Sequence, residues 1–267
     1  MKSDHSRLAE FMEHLSELVR RILTALAVFF IFFFLFFAFK PVWVDIGLIR
    51  LLYPYPSLFD SFAVQFFNLI KRSLLPPEMI LINVNSFDTL VAVIYVAMSF
   101  ALIFSLPVWI YELAVFVAPA LYQNEKRILR LLLIPSTLLF VAGAMFAYYV
   151  VLPILFRFLY YLTIYTGVEP TISVRTFVSV VISYTIALGL SFELPMVMLG
   201  LTYIGVVGYK AWIKNWRYAV VVAFFIALLI SPGATGGLME TTIGLTLSAL
   251  YFVGALLSRH FTGRQKI

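Results

Sequence analysis

Long apolar stretches, broken at intervals by short polar and charged segments, run the length of the chain. A helix needs about 20 mostly apolar residues to cross a bilayer. Intervals at or near that length fall at residues 22–39, 89–111, 131–156, 176–203, 217–230 and 238–258. The fourth is interrupted by Glu193, and the last two flank a Ser231-Pro232-Gly233 turn. This pattern predicts an all-α polytopic membrane protein with six transmembrane helices, the last two short. The fourth is expected to kink at Pro195, whose missing N–H leaves the Ser191 carbonyl unpaired. From Tyr218 to Ile230 a helix reaches roughly 20 Å, against a hydrocarbon core of about 30 Å, so the bilayer is expected to thin around the last hairpin.

The segments outside the spans have their own periodicity. In residues 4–21, Leu8, Phe11, Met12, Leu15, Leu18 and Ile22 recur at helical spacing opposite Glu10, Glu13, Glu17 and Arg21, which predicts an amphipathic helix feeding the first span. The segment 40–88 is the longest connection. Ser57-Leu58-Phe59-Asp60 has the form of a capping box with Asp in place of Glu. Phe59, Phe62, Phe66, Leu69 and Ile70 then give an apolar face, which predicts a short helix on the outer membrane surface. The Phe-rich run 29–39 reads as lipid-facing bulk.

Composition agrees with a membrane protein and removes several chemistries. Of 267 residues, 63% are hydrophobic and 12% charged, about half the charged share of a soluble domain. There is no cysteine, and His5, His14 and His260 are scattered. Neither thiolate chemistry nor a histidine metal site is available, and no catalytic residues, metal or cofactor are expected. The net charge of +6 suits anionic lipid, and no basic domain exists to bind nucleic acid. Of the 19 Lys and Arg, thirteen fall on the side of the termini and six (Lys40, Arg50, Lys71, Arg72, Arg157 and Arg175) on the other. The connections are short, so the positive-inside rule predicts a multi-pass protein with both termini cytoplasmic.

Three motifs carry chemistry. The run Glu13-His14-Leu15-Ser16-Glu17-Leu18-Val19-Arg20-Arg21 resembles the opening signature of TatC, the C subunit of the twin-arginine protein translocase. Phe116-Val117-Ala118-Pro119-Ala120-Leu121-Tyr122-Gln123-Asn124-Glu125-Lys126-Arg127 is similar to that family's first cytoplasmic loop. Ser191-Phe192-Glu193-Leu194-Pro195 is similar to its fourth-helix Phe-Glu-x-Pro. The resemblance covers essentially residues 8–260. It implies a receptor for signal peptides with paired arginines, acting with small single-span partner subunits, in a homo- or hetero-oligomer, to move folded proteins across the membrane. Two positions depart from the family pattern. Val19 stands where an Arg is usual, so any role there falls to Arg20 or is dispensed with. Gly233 stands where the family often carries Asp, with Glu240 further on.

An arginine pair is best met by carboxylates, since a guanidinium donates two parallel hydrogen bonds to one carboxylate. The predicted cytoplasmic face offers Asp4, Glu10, Glu13, Glu17, Glu112 and Glu125. The resemblance selects Glu17 and Glu125, with Leu15, Leu18, Arg21, Phe116, Pro119, Leu121 and Tyr122 around them as the signal-peptide site. Spacing alone gives structural readings as well. Glu17 sits three and four residues before Arg20 and Arg21, where an intrahelical ion pair is worth about 0.2–0.5 kcal/mol. Glu125 follows Asn124, a good N-cap, in a first helical turn that favours an acid. Glu193 lies near mid-membrane, where an ionisable group costs about 2.5–3.5 kcal/mol and is functional by default. Without a cation at that depth, the uncharged acid is favoured, and it can both donate and accept. With Phe192 and Pro195 it is expected to dock the partner's transmembrane helix. The alternative is a proton- or ion-coupled transporter using Glu193. An intramembrane enzyme is disfavoured by the absence of any catalytic motif.

Overall fold

The computed structural model describes residues 2–46, 49–117, 123–203, 205–231 and 235–262, with side chains undescribed for residues 1–11, 13, 43–52, 114, 117–133 and 260–262. Helix α1 (Lys2–Ala38) is continuous from the predicted amphipathic segment through the first span. It leads into a hairpin of β1 (Phe39–Ile46) and β2 (Ile49–Pro56), followed by α2 (Phe62–Leu74) and β3 (Ile80–Ile82). Helix α3 (Asp88–Val117) is followed by α4 (Gln123–Phe146), a π-helical turn (Ala147–Val151) and α5 (Leu152–Tyr165). Strand β4 (Thr171–Ser173) precedes α6 (Val174–Phe192) and α7 (Leu194–Tyr203). Helices α8 (Tyr209–Lys214), α9 (Trp216–Ile230) and α10 (Leu238–Thr262) complete the order.

Five apolar helical stretches are long enough to cross a membrane: His14–Ala38, Asp88–Leu113, Ile134–Tyr165, Val174–Tyr203 and Leu238–Arg259. The shorter α9, with 15 residues, reaches roughly 22 Å. Of the two spans expected to be short, only α9 is so, because the last stretch holds 22 residues. Its first turn contains Glu240, buried and bonded to Ser231 Oγ at 3.0 Å and Thr235 Oγ1 at 3.1 Å. With its oxygens matched, the acid does not delay the helix. The third stretch continues past Arg157, an exposed cation whose long stem can carry its charge toward water. The π turn lies just ahead of Pro153, where Leu152 N–H donates to the Ala147 carbonyl. Proline's missing N–H removes one rung of the α ladder there, and the wider turn absorbs the break.

The segment between the first two spans is more ordered than its composition suggests. Pro41, Pro54 and Pro56 argue against strands, yet β1 and β2 pair antiparallel from Phe39↔Pro56 to Ile46↔Ile49, with Pro41 opposite Pro54. Each strand of a two-stranded ribbon has one open side, where a missing N–H costs little. The helix begins at Phe62 with Ser61 as its N-cap, accepting from Val64 N, rather than at the expected Ser57 box. Asp60 pairs with Lys40 at 3.4 Å instead. Of the expected apolar face, Ile70 is buried and Phe62 and Phe66 pack on the core, whereas Phe59 and Leu69 are exposed. Strands β3 and β4 pair in parallel, tying this segment to the start of α6.

Aromatic packing joins α1, α2 and α3. Phe36 lies 5.0 Å from Phe62, 5.6 Å from Phe100 and 5.1 Å from Phe104 between ring centroids. Each such pair contributes about 0.5–1.5 kcal/mol beyond its area. The Phe-rich run is therefore divided. Phe32 and Phe36, one turn apart, face the protein, while Phe30 and Phe34 are exposed.

Helices α4 and α6 cross at glycines. A Cβ on Gly143 would lie 2.6 Å from the Leu188 carbonyl oxygen, and one on Gly189 would lie 2.8 Å from the Phe140 ring. Small residues let helix backbones approach this closely in lipid. Gly143→Ala is expected to lower stability by about 1–3 kcal/mol, since backbone must shift to admit the methyl. Gly200→Ala, with nothing within 4 Å of its added Cβ, should leave stability unchanged or raise it by about 0.5–1 kcal/mol. Equilibrium unfolding in mixed micelles compares the two; equal midpoints would show that the crossing tolerates a methyl.

Candidate functional site

Two places gather the residues singled out by sequence. The first lies where α1 passes the end of α3. Arg21 donates from Nε and Nη2 to Oε1 of Glu17, at 3.1 and 2.5 Å. Its Nη1 reaches Oε2 of Glu112 at 3.1 Å. Arg21 thus bridges two carboxylates on two helices. The pairing is half-buried, with side-chain exposures of 22% for Arg21, 33% for Glu17 and 16% for Glu112, so it is screened less than a surface pair. Leu18, Arg21, Trp109, Glu112 and Phe116 line a small cavity beside it. Trp109 Nε1 is buried there without a hydrogen-bond partner among the described residues.

The expected Glu17–Arg21 ion pair is present, and Arg20 is exposed. Leu15 is also exposed, 44% by area. Pro119, Leu121 and Tyr122 lie outside the described residues. Glu125 falls in the first turn of α4, though its side chain is not among those described. Helix α3 ends at Val117, five residues after Glu112, and α4 begins at Gln123, two residues before Glu125. Glu112 stood among six acids of that face, and the motif passed over it. Its partner is 91 residues away, so only a contact in space reveals it.

The second place is the middle of the fourth stretch. Helical hydrogen bonding is interrupted at Glu193, which caps α6 and whose carbonyl accepts from Met196 N and Val197 N of α7. Ser136 of α4 faces its carboxyl. Oε1 of Glu193 is buried with no hydrogen-bond partner among the described residues. That contrasts with Glu240, a buried acid in the last span whose two oxygens are both bonded. Phe192 packs against Phe146 at 5.7 Å. Pro195 is fully buried and backs onto α10, where a Cβ on Gly254 would lie 3.0 Å from the Pro195 Cα. The α1–α3 group and the Glu193 group are therefore separate.

An apolar groove of about 590 Å³ runs alongside, with Ser191, Leu194, Met198, Trp212, Ala219 and Tyr251 in its wall. Short α8 is pinned over it, because Trp212 Nε1 donates to Thr202 Oγ1 at 2.8 Å and Tyr251 Oη donates to the Trp212 carbonyl at 2.6 Å. No group of three or more metal-ligating side chains occurs among the described residues.

Residues 13–240 match the family described as Sec-independent protein translocase protein (TatC). The Sec-independent protein translocase protein TatC of Cenarchaeum symbiosum is 31% identical over 257 residues, 96% of this chain and 97% of that protein. The protein of the same name from Aquifex aeolicus is 32% identical over 209 residues, 77% of this chain and 85% of its own. A crystal structure of the twin-arginine translocase receptor TatC superimposes with a TM-score of 0.73 at 28% identity, covering 93% of this chain and 99% of that one.

The geometry separates the two adjacent arginines. Arg21→Ala removes three charge-assisted hydrogen bonds and strands two carboxylates, a loss of about 1.5–3 kcal/mol of stability. Arg20→Ala, at an exposed position, should change it by less than about 0.5 kcal/mol. Unfolding midpoints of both variants check this; equal losses would mean that the bridge does not hold α1 to α3.

Proposed function

The chain belongs to the Sec-independent protein translocase TatC family, a membrane-embedded component of that translocase, and on that basis we propose how it recognises its substrates. Glu17 and Glu125 receive the guanidinium groups of a twin-arginine signal peptide on the cytoplasmic face. Arg21 positions Glu17, and Leu15, Leu18, Phe116, Pro119, Leu121 and Tyr122 surround the peptide. The cytoplasmic assignment of this face rests on its excess of Lys and Arg. The observation that carries the reading is the state of Glu17. Among the described residues Arg21 engages only Oε1, which supports Oε2 of this partly exposed carboxylate as the acceptor of a further hydrogen bond. A carboxylate already ordered by one guanidinium needs little reorganisation to take another.

Glu193 serves a different step. Its Oε1, without a hydrogen-bond partner among the described residues, supports docking of a polar group on the helix of a single-span partner subunit. Such a bond in lipid averages about 0.6 kcal/mol, with a maximum near 1.7. It therefore specifies where the helix sits more than it drives association. The membrane potential and proton gradient would then power movement of folded cargo.

Binding of a labelled twin-arginine peptide to the chain in nanodiscs tests recognition. Glu17→Gln and Glu125→Gln should each weaken binding about 10- to 100-fold, the equivalent of one lost charge-assisted contact. A twin-lysine peptide should also bind more weakly, because ammonium lacks the fork. Wild-type affinity in both Gln variants would refute the assignment. For Glu193, crosslinking from α6 and α7 to the partner helix should survive Glu193→Gln better than Glu193→Ala. Unchanged crosslinks and transport in Glu193→Ala would make Glu193 an internal structural acid. Equal damage by Gln would favour a titrating, ion-coupled role.

A further inference from the structure

We propose that Glu112 is a positioning residue for signal-peptide recognition: by taking Nη1 of Arg21, it keeps the second oxygen of Glu17 open to a substrate guanidinium. The proposal rests on the reading that Glu17 receives a substrate arginine.

Left with a single carboxylate, arginine adopts a fork that places two parallel N–H bonds on the two oxygens. A Glu17–Arg21 pair in that arrangement would be closed, with both oxygens taken and the charge neutralised. The observed geometry differs. Nε and Nη2 of Arg21 both converge on Oε1 of Glu17. Nη1 points the other way, to Oε2 of Glu112. Oε2 of Glu17 has no partner among the described residues.

Glu112 is the less exposed of the two acids, 16% against 33% by side-chain area. It is carried on α3, which packs along α1. It is therefore the fixed end of the bridge, and Glu17 is the end that faces outward. The charge count agrees with this arrangement. Two carboxylates and one guanidinium leave one negative charge, enough for one incoming arginine. Without Glu112, Arg21 would cancel Glu17 outright. Two substrate arginines would then meet only the charge of Glu125. With Glu112, three carboxylates stand against Arg21 and the two arginines of the signal peptide.

Glu112 thus acts through Arg21 and need not touch the peptide. That distinction sets the experiment, a double-mutant cycle on the full chain in nanodiscs read by the affinity for a twin-arginine peptide. Unfolding midpoints are recorded alongside to score loss of fold separately. Glu112→Gln keeps the shape of the side chain and removes its charge. On the wild-type background it should weaken binding about tenfold, because Arg21 turns onto both oxygens of Glu17. On an Arg21→Gln background there is no guanidinium to restrain, and adding Glu112→Gln should change affinity by less than about twofold. A merely structural role would not give this pattern, since loosened packing between α1 and α3 persists on either background.

Three results overturn the proposal. The first is wild-type affinity in Glu112→Gln. The second is an equal loss on both backgrounds, which would make Glu112 a direct contact or a packing residue. The third is complete loss of binding in Arg21→Gln with the unfolding midpoint retained, which would mean that freeing the second oxygen of Glu17 from Arg21 is not what binding requires. Failure of the underlying reading looks different: wild-type chain would bind twin-arginine and twin-lysine peptides alike, and both accounts would fall together.

Discussion

The closeness of α4 and α6 governs what the interior of this protein can do. Inside a bilayer, water supplies no hydrogen bonds, so the backbone must be helical and helices associate through packing rather than through loss of apolar surface from water. Gly143 and Gly189 remove the side chains that would hold the two helices apart, and Phe140 and Phe192 fill the space on either side. Two turns before Gly143 stands Ser136, and one turn after Gly189 stands Glu193. The crossing thus brings a hydroxyl on one helix to a carboxyl on the other. A wider separation would leave Glu193 in lipid, where an acid is costly.

The interruption of the fourth stretch depends on the same packing. Glu193 closes α6 and opens α7, and its carbonyl is used by the first turn of α7. Pro195 is held against α10 at Gly254, so the break is buried in protein on one side, while residues flanking Glu193 border the open groove on the other. A missing rung of the helical ladder at membrane depth is tolerated in that setting, where protein or a cavity covers it. At the rim, Arg21 does for α1 and α3 what the glycines do for α4 and α6. It fixes one helix on another, but by charge, at a depth where long side chains reach water. The deep contact is built from small residues and one acid, and the rim contact from full charges, as their different dielectric surroundings require.

Much of this was legible before any contact was seen. Hydropathy located the spans, since twenty apolar residues have few other places to go, and the three motifs drew attention to the α1–α3 group and to Glu193. What escaped has identifiable causes. The β1–β2 hairpin was hidden by Pro41, Pro54 and Pro56, which deny the interior of a sheet but not the open sides of a ribbon. The start of α2 was misplaced by four residues, because Ser57 and Ser61 are both plausible caps and tertiary contacts chose between them. Glu240 lies in the first turn of the last span, and only the fold shows Ser231 and Thr235 satisfying it. Phe32 and Phe36 could be told from Phe30 and Phe34 only once α2 and α3 were placed beside them. Glu112 was one acid among six until Arg21 reached it.

The central claim is that this chain presents carboxylates, ordered in advance by its own Arg21, to the paired arginines of a signal peptide. A single-particle structure of the chain in nanodiscs with a bound twin-arginine signal peptide tests that claim most directly. The account predicts one peptide guanidinium on Oε2 of Glu17, with Arg21 still bridging to Glu112, and the second guanidinium at Glu125. Peptide arginines lodged elsewhere, with Glu17 closed by both arms of Arg21, would contradict it.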